Sequence, residues 1–212
     1  MARGYPIEYE KYNTQYAGEK EIIGAMLWDT QTYTSDVTTS LSFFNAVRAT
    51  LDLGNMRQAG ALPAPEAFLI RAIRFYVKQN QPLAVLRAAP GNIQTGSAID
   101  NVAQLINTGV LSIVIAAKNY GIYPLWKIPA GGGVKALLDA DGDVSTVGVF
   151  ADYGQAGGFH ARNAFTLARP LFLAPQINFR VDVTWPAPLT LTTDITVKLT
   201  VALEGDLIRP VQ

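Results

Sequence analysis

Ile195, Val197, Leu199, Val201 and Leu203 alternate with Thr196, Lys198, Thr200, Ala202 and Glu204. A strict period of two predicts a strand with one buried and one wetter face. This strand lies close to the last residue, Gln212, so the closing segment is expected to pair inside a sheet and belong to the core. The same alternation places Phe179, Val181, Val183 and Trp185 opposite Arg180, Asp182 and Thr184. It recurs where Ile73, Phe75 and Val77 oppose Arg74, Tyr76 and Lys78. That third segment, "FLIRAIRFYVKQ", has helix-compatible Arg and Ala, but its proline-rich entry and apolar alternation favour a strand. Two further β-like runs, 22–34 and 37–44, are dense in Thr, Tyr, Trp and Phe, which suit a pleated surface. Strands are also expected within 110–129, at 144–152 and in "AFTLARPLFLAP".

Other segments break the pattern. Gly54, Asn55, Gly60, Pro63 and Pro65 make 52–68 a loop. "TGSAIDNVAQLINTG" at 95–109 is the one clear helix: Ser97 or Asp100 caps it, Ile99, Val102, Ala103 and Ile106 share a face, and Gly109 ends it. Residues 1–21 are polar and carry Tyr5, Tyr9, Tyr12 and Tyr16. They read as neither a strand nor a strongly amphipathic helix. An arm laid on a neighbouring subunit is one expectation, since Tyr suits half-wet contacts; a loose leader is the other. Eight to ten uneven strands, long Pro/Gly connections and no fixed repeat predict an all-β fold over 22–212. The expected form is an eight-stranded, or slightly larger, Greek-key jelly-roll sandwich with one or two short helices in loops.

Composition narrows the function more than the fold. The 212 residues are 49% hydrophobic, enough for one well-cored domain. Charged residues make up only 16%, against about a quarter in typical domains. Burial of surface in an assembly is one explanation, and a Thr-, Asn- and Gln-rich monomer surface is the other. Lys plus Arg balance Asp plus Glu at 17 each, so nothing here favours electrostatic capture of nucleic acid or an anionic membrane. The absence of cysteine removes disulfides, zinc–thiolate sites, iron–sulfur ligation and cysteine nucleophiles. "MARGYPIEYEKYNTQYAGEK" has no apolar signal-peptide run, and "VLSIVIAA" at 110–117 is too short to span a bilayer. A soluble protein made without an export signal is expected.

Candidate chemistry is sparse. The single histidine, His160, lacks the companions that a cupin metal site or a catalytic triad needs. Asp139, Asp141 and Asp143 have calcium-loop spacing, but the sixth and twelfth positions are Val144 and Phe150 instead of Gly and Glu. A tight acidic turn is the simpler reading, with calcium as the weak alternative. "PAGGGVKAL" at 129–137 lacks phosphate-loop spacing and reads as a flexible loop. Asp182 and Glu204 are candidates for a glycosidase carboxylate pair, although a solvated or interface role fits their positions on wetter faces better. Arg74, Tyr76 and Lys78 share a face without the positive charge of a nucleic-acid surface. Trp28, Trp126 and Trp185 could line a sugar site or simply pack. The expectation is no enzyme, no cofactor and no firm metal site.

Four stretches give the chain a wider resemblance: "TQTYTSDVTTSLSFFN", "GNMRQAGALPAPEAFLIRAIRFYV", "LARPLFLAPQINFRVDVTWPAPLTL" and "VALEGDLIRPVQ". In pattern the chain resembles jelly-roll capsid proteins of tailless icosahedral viruses, bacteriophages foremost. The resemblance covers most of 22–212 and carries no short diagnostic motif. It implies a virion structural protein, assembled in the host cytoplasm, that meets copies of itself as trimers or hexamer-like capsomers. It also implies other coat proteins such as a penton as partners. Residues 1–21 carry Arg3, Lys11 and Lys20 against Glu8, Glu10, Glu19 and Glu21, unlike a basic genome-binding arm. That points to a shell around DNA packaged by other means, with an internal membrane as one arrangement. The rival from another class is a carbohydrate- or receptor-binding β-sandwich, lectin-like or a fibre head. A cupin-like isomerase or a glycosidase comes third.

Overall fold

The computed structural model describes residues 7–78, 104–128, 134–136, 154–156, 164–191 and 196–211. Ten strands appear among them: β1 (Lys20–Thr34), β2 (Ser40–Phe43), β3 (Ala67–Lys78), β4 (Val110–Ile115), β5 (Lys118–Pro124), β6 (Val134–Ala136), β7 (Gly154–Ala156), β8 (Phe165–Leu173), β9 (Phe179–Thr184) and β10 (Thr196–Pro210). Eight of them form two antiparallel four-stranded sheets, sheet I in the order β1-β10-β3-β8 and sheet II in the order β2-β9-β4-β5. β6 and β7 make a separate two-stranded pair in the connection between β5 and β8.

The pairing is nested. Counting only the eight strands of the two sheets, the first pairs with the last (β1–β10), the second with the seventh (β2–β9), the third with the sixth (β3–β8) and the fourth with the fifth (β4–β5). Two further pairings, β10–β3 and β9–β4, complete the sheets. The arrangement is that of one long antiparallel hairpin with β4–β5 at its tip, rolled so that alternate pairs fall in alternate sheets.

Alternation explains the packing. β4 and β9 follow a period of two, with Leu111, Ile113, Ile115, Phe179, Val181 and Val183 buried. They join Ile73, Phe75, Val197, Leu199, Val201 and Leu203 of sheet I in one hydrophobic cluster between the sheets. Trp185 closes one end of this core: its indole N–H donates to the Leu105 carbonyl at 3.0 Å, and its ring meets Tyr33 edge-on at 4.9 Å. Leu105 belongs to a helical stretch at 104–108, the described part of the helix expected over 95–109.

Three expectations are corrected here. First, Ile7–Gln15 forms a helix, α1, although the segment shows no amphipathic stripe. Tyr12 is its buried residue, and Tyr9 packs beside it. Second, β1 begins at Lys20, so residues 20 and 21 are sheet and not arm. Third, part of the glycine-rich stretch at 129–137 is strand, because 134–136 pairs with 154–156. β10 is longer than its alternation shows, running on to Pro210 past a bulge between Glu204 and Gly205. Gly205 is required there, since a Cβ would lie 1.9 Å from the Leu69 carbonyl oxygen.

Candidate functional site

Most of the residues that carry chemistry fall on the outer faces of the two sheets, with Asp29 on the inner side of β1. On the outer face of sheet I, Ala67, Leu69, Phe172 and Ile208 form an apolar patch under α1. Tyr12 fills it, 2% exposed, with Tyr9 edge-on to Phe172 at 5.8 Å and Tyr16 against Tyr12 at 5.0 Å. The Tyr12 hydroxyl donates to the Pro65 carbonyl at 2.8 Å. Burial raises its pKa above the ordinary 10.0, and the neighbouring Tyr16, Tyr9 and Glu66 add to the effect. The tyrosines read as an inter-subunit arm therefore contact this chain's own sheet at Tyr9, Tyr12 and Tyr16; Tyr5 lies outside the described residues. The sequence signal was present in their spacing of three or four, which puts side chains on one helix face.

Further along the same face, Arg74 is buried and grips Glu204 through its guanidinium. The hydrogen bond that Arg74 donates to Glu204 holds the Arg74 pKa above its usual value, and burial pushes the Tyr76 hydroxyl up. Arg71 pairs with Asp206 at 2.7 Å, and Thr30 shares a 2.8 Å hydrogen bond with Thr200. The half-exposed face expected for Arg74 is thus corrected: cross-strand pairing with Glu204 supplies the partner that lets an arginine be buried. Thr200 and Ala202, on the supposedly wetter side of β10, are buried as well, because β10 lies between β1 and β3.

Asp29 was not singled out by its sequence. Its β1 neighbours of like parity, Leu27, Gln31 and Tyr33, face inward, and an acidic residue at that parity is the signal that marks it. It is 1% exposed, accepts the Phe44 N–H at 2.6 Å and is gripped by the Arg48 guanidinium. This node ties β1 to the loop after β2. Its buried carboxylate accepts from both partners, which makes it a structural tie.

The outer face of sheet II is different. Asp182, between the inward-facing Val181 and Val183, accepts from the Ser42 hydroxyl at 2.7 Å and from Arg180 at 2.8 Å. Asp182 and Glu204 occupy the outer faces of opposite sheets with the core between them, so the structure does not bring them together as a carboxylate pair. Ile122 on β5 and Trp126 just beyond it are 68% and 63% exposed. The tryptophans separate accordingly: Trp185 is core, Trp28 is half-buried with its N–H on the Leu51 carbonyl at 2.9 Å, and Trp126 is exposed.

Two pockets lined by described residues measure about 120 Å³, between β1 and the 55–66 loop, and about 240 Å³, beside Asn178 and Arg180. Both fall below the roughly 300–1,000 Å³ usual for small-molecule sites. Among the described residues no group of three or more His, Asp or Glu could hold a metal ion. Asp139, Asp141, Asp143 and His160 lie outside the described residues. Among the described residues no helix is long and apolar enough to cross a membrane. No protein-family model matches the chain, and no curated protein matches it.

Proposed function

We propose that this chain is a structural capsid subunit that assembles with copies of itself into an icosahedral shell through capsomers, and that its two sheets form a Greek-key jelly roll. The observation that carries the reading is the nested pairing, first strand with eighth through fourth with fifth, split between two four-stranded sheets. Two consecutive Greek keys wrap a chain in this manner. Support for assembly comes from the exterior. Charges are few, the carboxylates Glu204, Asp206 and Asp182 are each held by an arginine, and large apolar side chains stand exposed at Ile22, Ile122 and Trp126. Such a surface suits side-to-side contacts between identical subunits in closed symmetry. Other coat proteins, an internal membrane and a virion location belong to the same proposal.

Negative-stain imaging of the purified protein tests it. Rings, sheets or closed shells are the expected result, and uniformly dispersed single subunits would overturn it. The exposed Trp126 favours a second reading, a carbohydrate- or receptor-binding module. Glycan binding that disappears in Trp126→Ala, by a protein that forms no larger assembly, would establish that reading instead.

A further inference from the structure

We propose that residues 20–26, the first half of β1, are a pairing edge for a second copy of this chain, joined antiparallel about a two-fold axis beside Ile23. The proposal deepens the assembly reading and rests on it only for the premise that the chain meets its own copies.

β1 is an edge strand of sheet I. Its even-numbered residues turn their backbone groups away from β10. Thr30 N–H donates to the Leu53 carbonyl at 2.7 Å, and the Trp28 carbonyl accepts from Asn55 N–H at 3.2 Å. Pro210, which has no N–H to give, stands opposite Lys20 and fits the same parity. The loop covers this edge only as far as Asn55. That side chain accepts the Trp28 N–H at 2.9 Å and donates to the Met26 carbonyl at 2.8 Å, taking the place of a strand. Beyond it, the N–H groups of Ile22, Gly24 and Met26 and the carbonyls of Ile22 and Gly24 have no partner among the described residues.

The other edges are blunted. β2 spans four residues, β8 carries Pro170 and a register shift against β3, and β5 is irregular at Ile113/Val114 of its partner. Residues 20–26 have no proline, and their register with β10 is unbroken. An open, regular edge of this kind is a template for strand addition.

The segment is complementary to itself. With Ile23 opposite the partner's Ile23, Lys20 faces Met26, Glu21 faces Ala25 and Ile22 faces Gly24, so no like charges meet. Every even residue from 20 to 26 then finds an even partner. Shifting the register by two leaves an end residue facing Asn55 or the turn at Gly18. Ile22, 52% exposed, comes to lie over the partner's Gly24, where a side chain would meet nothing within 4 Å. Met26, 39% exposed, lies along the partner's Lys20. Sheet I of each copy then continues into the other.

Single-cysteine variants test the register, because the chain has no cysteine of its own. Across the axis the two Ile23 α-carbons form a non-hydrogen-bonded pair about 4.5 Å apart, within disulfide reach. The two Ala25 α-carbons are offset by four residues, about 13 Å. Under mild oxidation Ile23→Cys is expected to form a covalent dimer at least about tenfold faster than Ala25→Cys. Adding Gly24→Pro should abolish the cross-link while leaving the pairing with β10 intact, since it removes an N–H that points outward. Gly24→Pro alone, followed by light scattering, reads the same contact without a thiol and should lower the assembled mass. Equal cross-linking of the two cysteine variants, or a mass and cross-link indifferent to Gly24→Pro in protein that circular dichroism shows to be folded, would overturn the proposal. Shells without the Ile23→Cys cross-link overturn the edge alone; the cross-link without shells upholds the edge and overturns the capsid reading.

Discussion

On the outer face of sheet I the chain covers the part beneath α1 and leaves Ile22 and Met26 exposed along β1, whereas the outer face of sheet II carries the exposed Ile122. On sheet I, α1 covers the apolar end through Tyr12, and Arg74 and Arg71 neutralise Glu204 and Asp206. On sheet II, Asp182 joins Ser42 and Arg180, and Ile122 and Trp126 stand in the open. Both faces come from strands of the same alternating kind. The difference arises from distant chain: residues 7–15 for one face and nothing among the described residues for the other. The covered part contributes to the subunit's own stability, and the proposed contacts between subunits fall on the exposed parts.

Substitutions should divide along that line. The internal node sets the upper end of the scale. Asp29→Ala leaves Arg48 and the Phe44 N–H without their acceptor, and should cost about 3–5 kcal/mol in denaturant unfolding. Next comes the covered face. Tyr12→Ala empties the aromatic contact beneath α1 and should cost about 3 kcal/mol; a loss near zero would mean that α1 contributes nothing to sheet I.

Tyr12→Phe keeps the packing and removes the hydrogen bond to Pro65, for a loss of about 1 kcal/mol. It also isolates a pH effect. Burial raises the folded pKa of Tyr12 above the ordinary 10.0. Below pH 10 the folded and unfolded forms are both protonated and the contact is fully in place. As pH climbs from 10 through the raised folded value, the unfolded chain releases its proton more readily and stability falls. Tyr33 is raised by burial too and contributes its own share of the alkaline loss. Unfolding measured from pH 9 upward should therefore fall less steeply in Tyr12→Phe than in the parent. Identical slopes would remove Tyr12 from the account. The smallest effect belongs to the bare face. Ile122→Ser should change stability by less than about 0.5 kcal/mol, with any consequence appearing in the size of the assembly.

Much of this division was beyond the reach of the sequence. The buried stripes of β9 and β10 were legible, because a period of two separates the core side from the other. The helix at 7–15 was legible only in the spacing of its tyrosines, since the rest of the segment carries no apolar stripe. Arg74 read as a solvated residue because its partner, Glu204, is 130 positions away in sequence. Trp185 and Trp126 are the same residue type with opposite fates, decided by the Leu105 carbonyl and the Tyr33 ring waiting beside one of them. Asp29 could have been found by its parity, but Arg48 could not, lying in a loop without periodicity.

The mass of the protein in solution tests assembly most directly. Light scattering over a range of protein and salt concentrations should give multiples of the 22.9 kDa subunit that grow toward capsomers or shells. A single 22.9 kDa species, unchanged at every concentration, would contradict it.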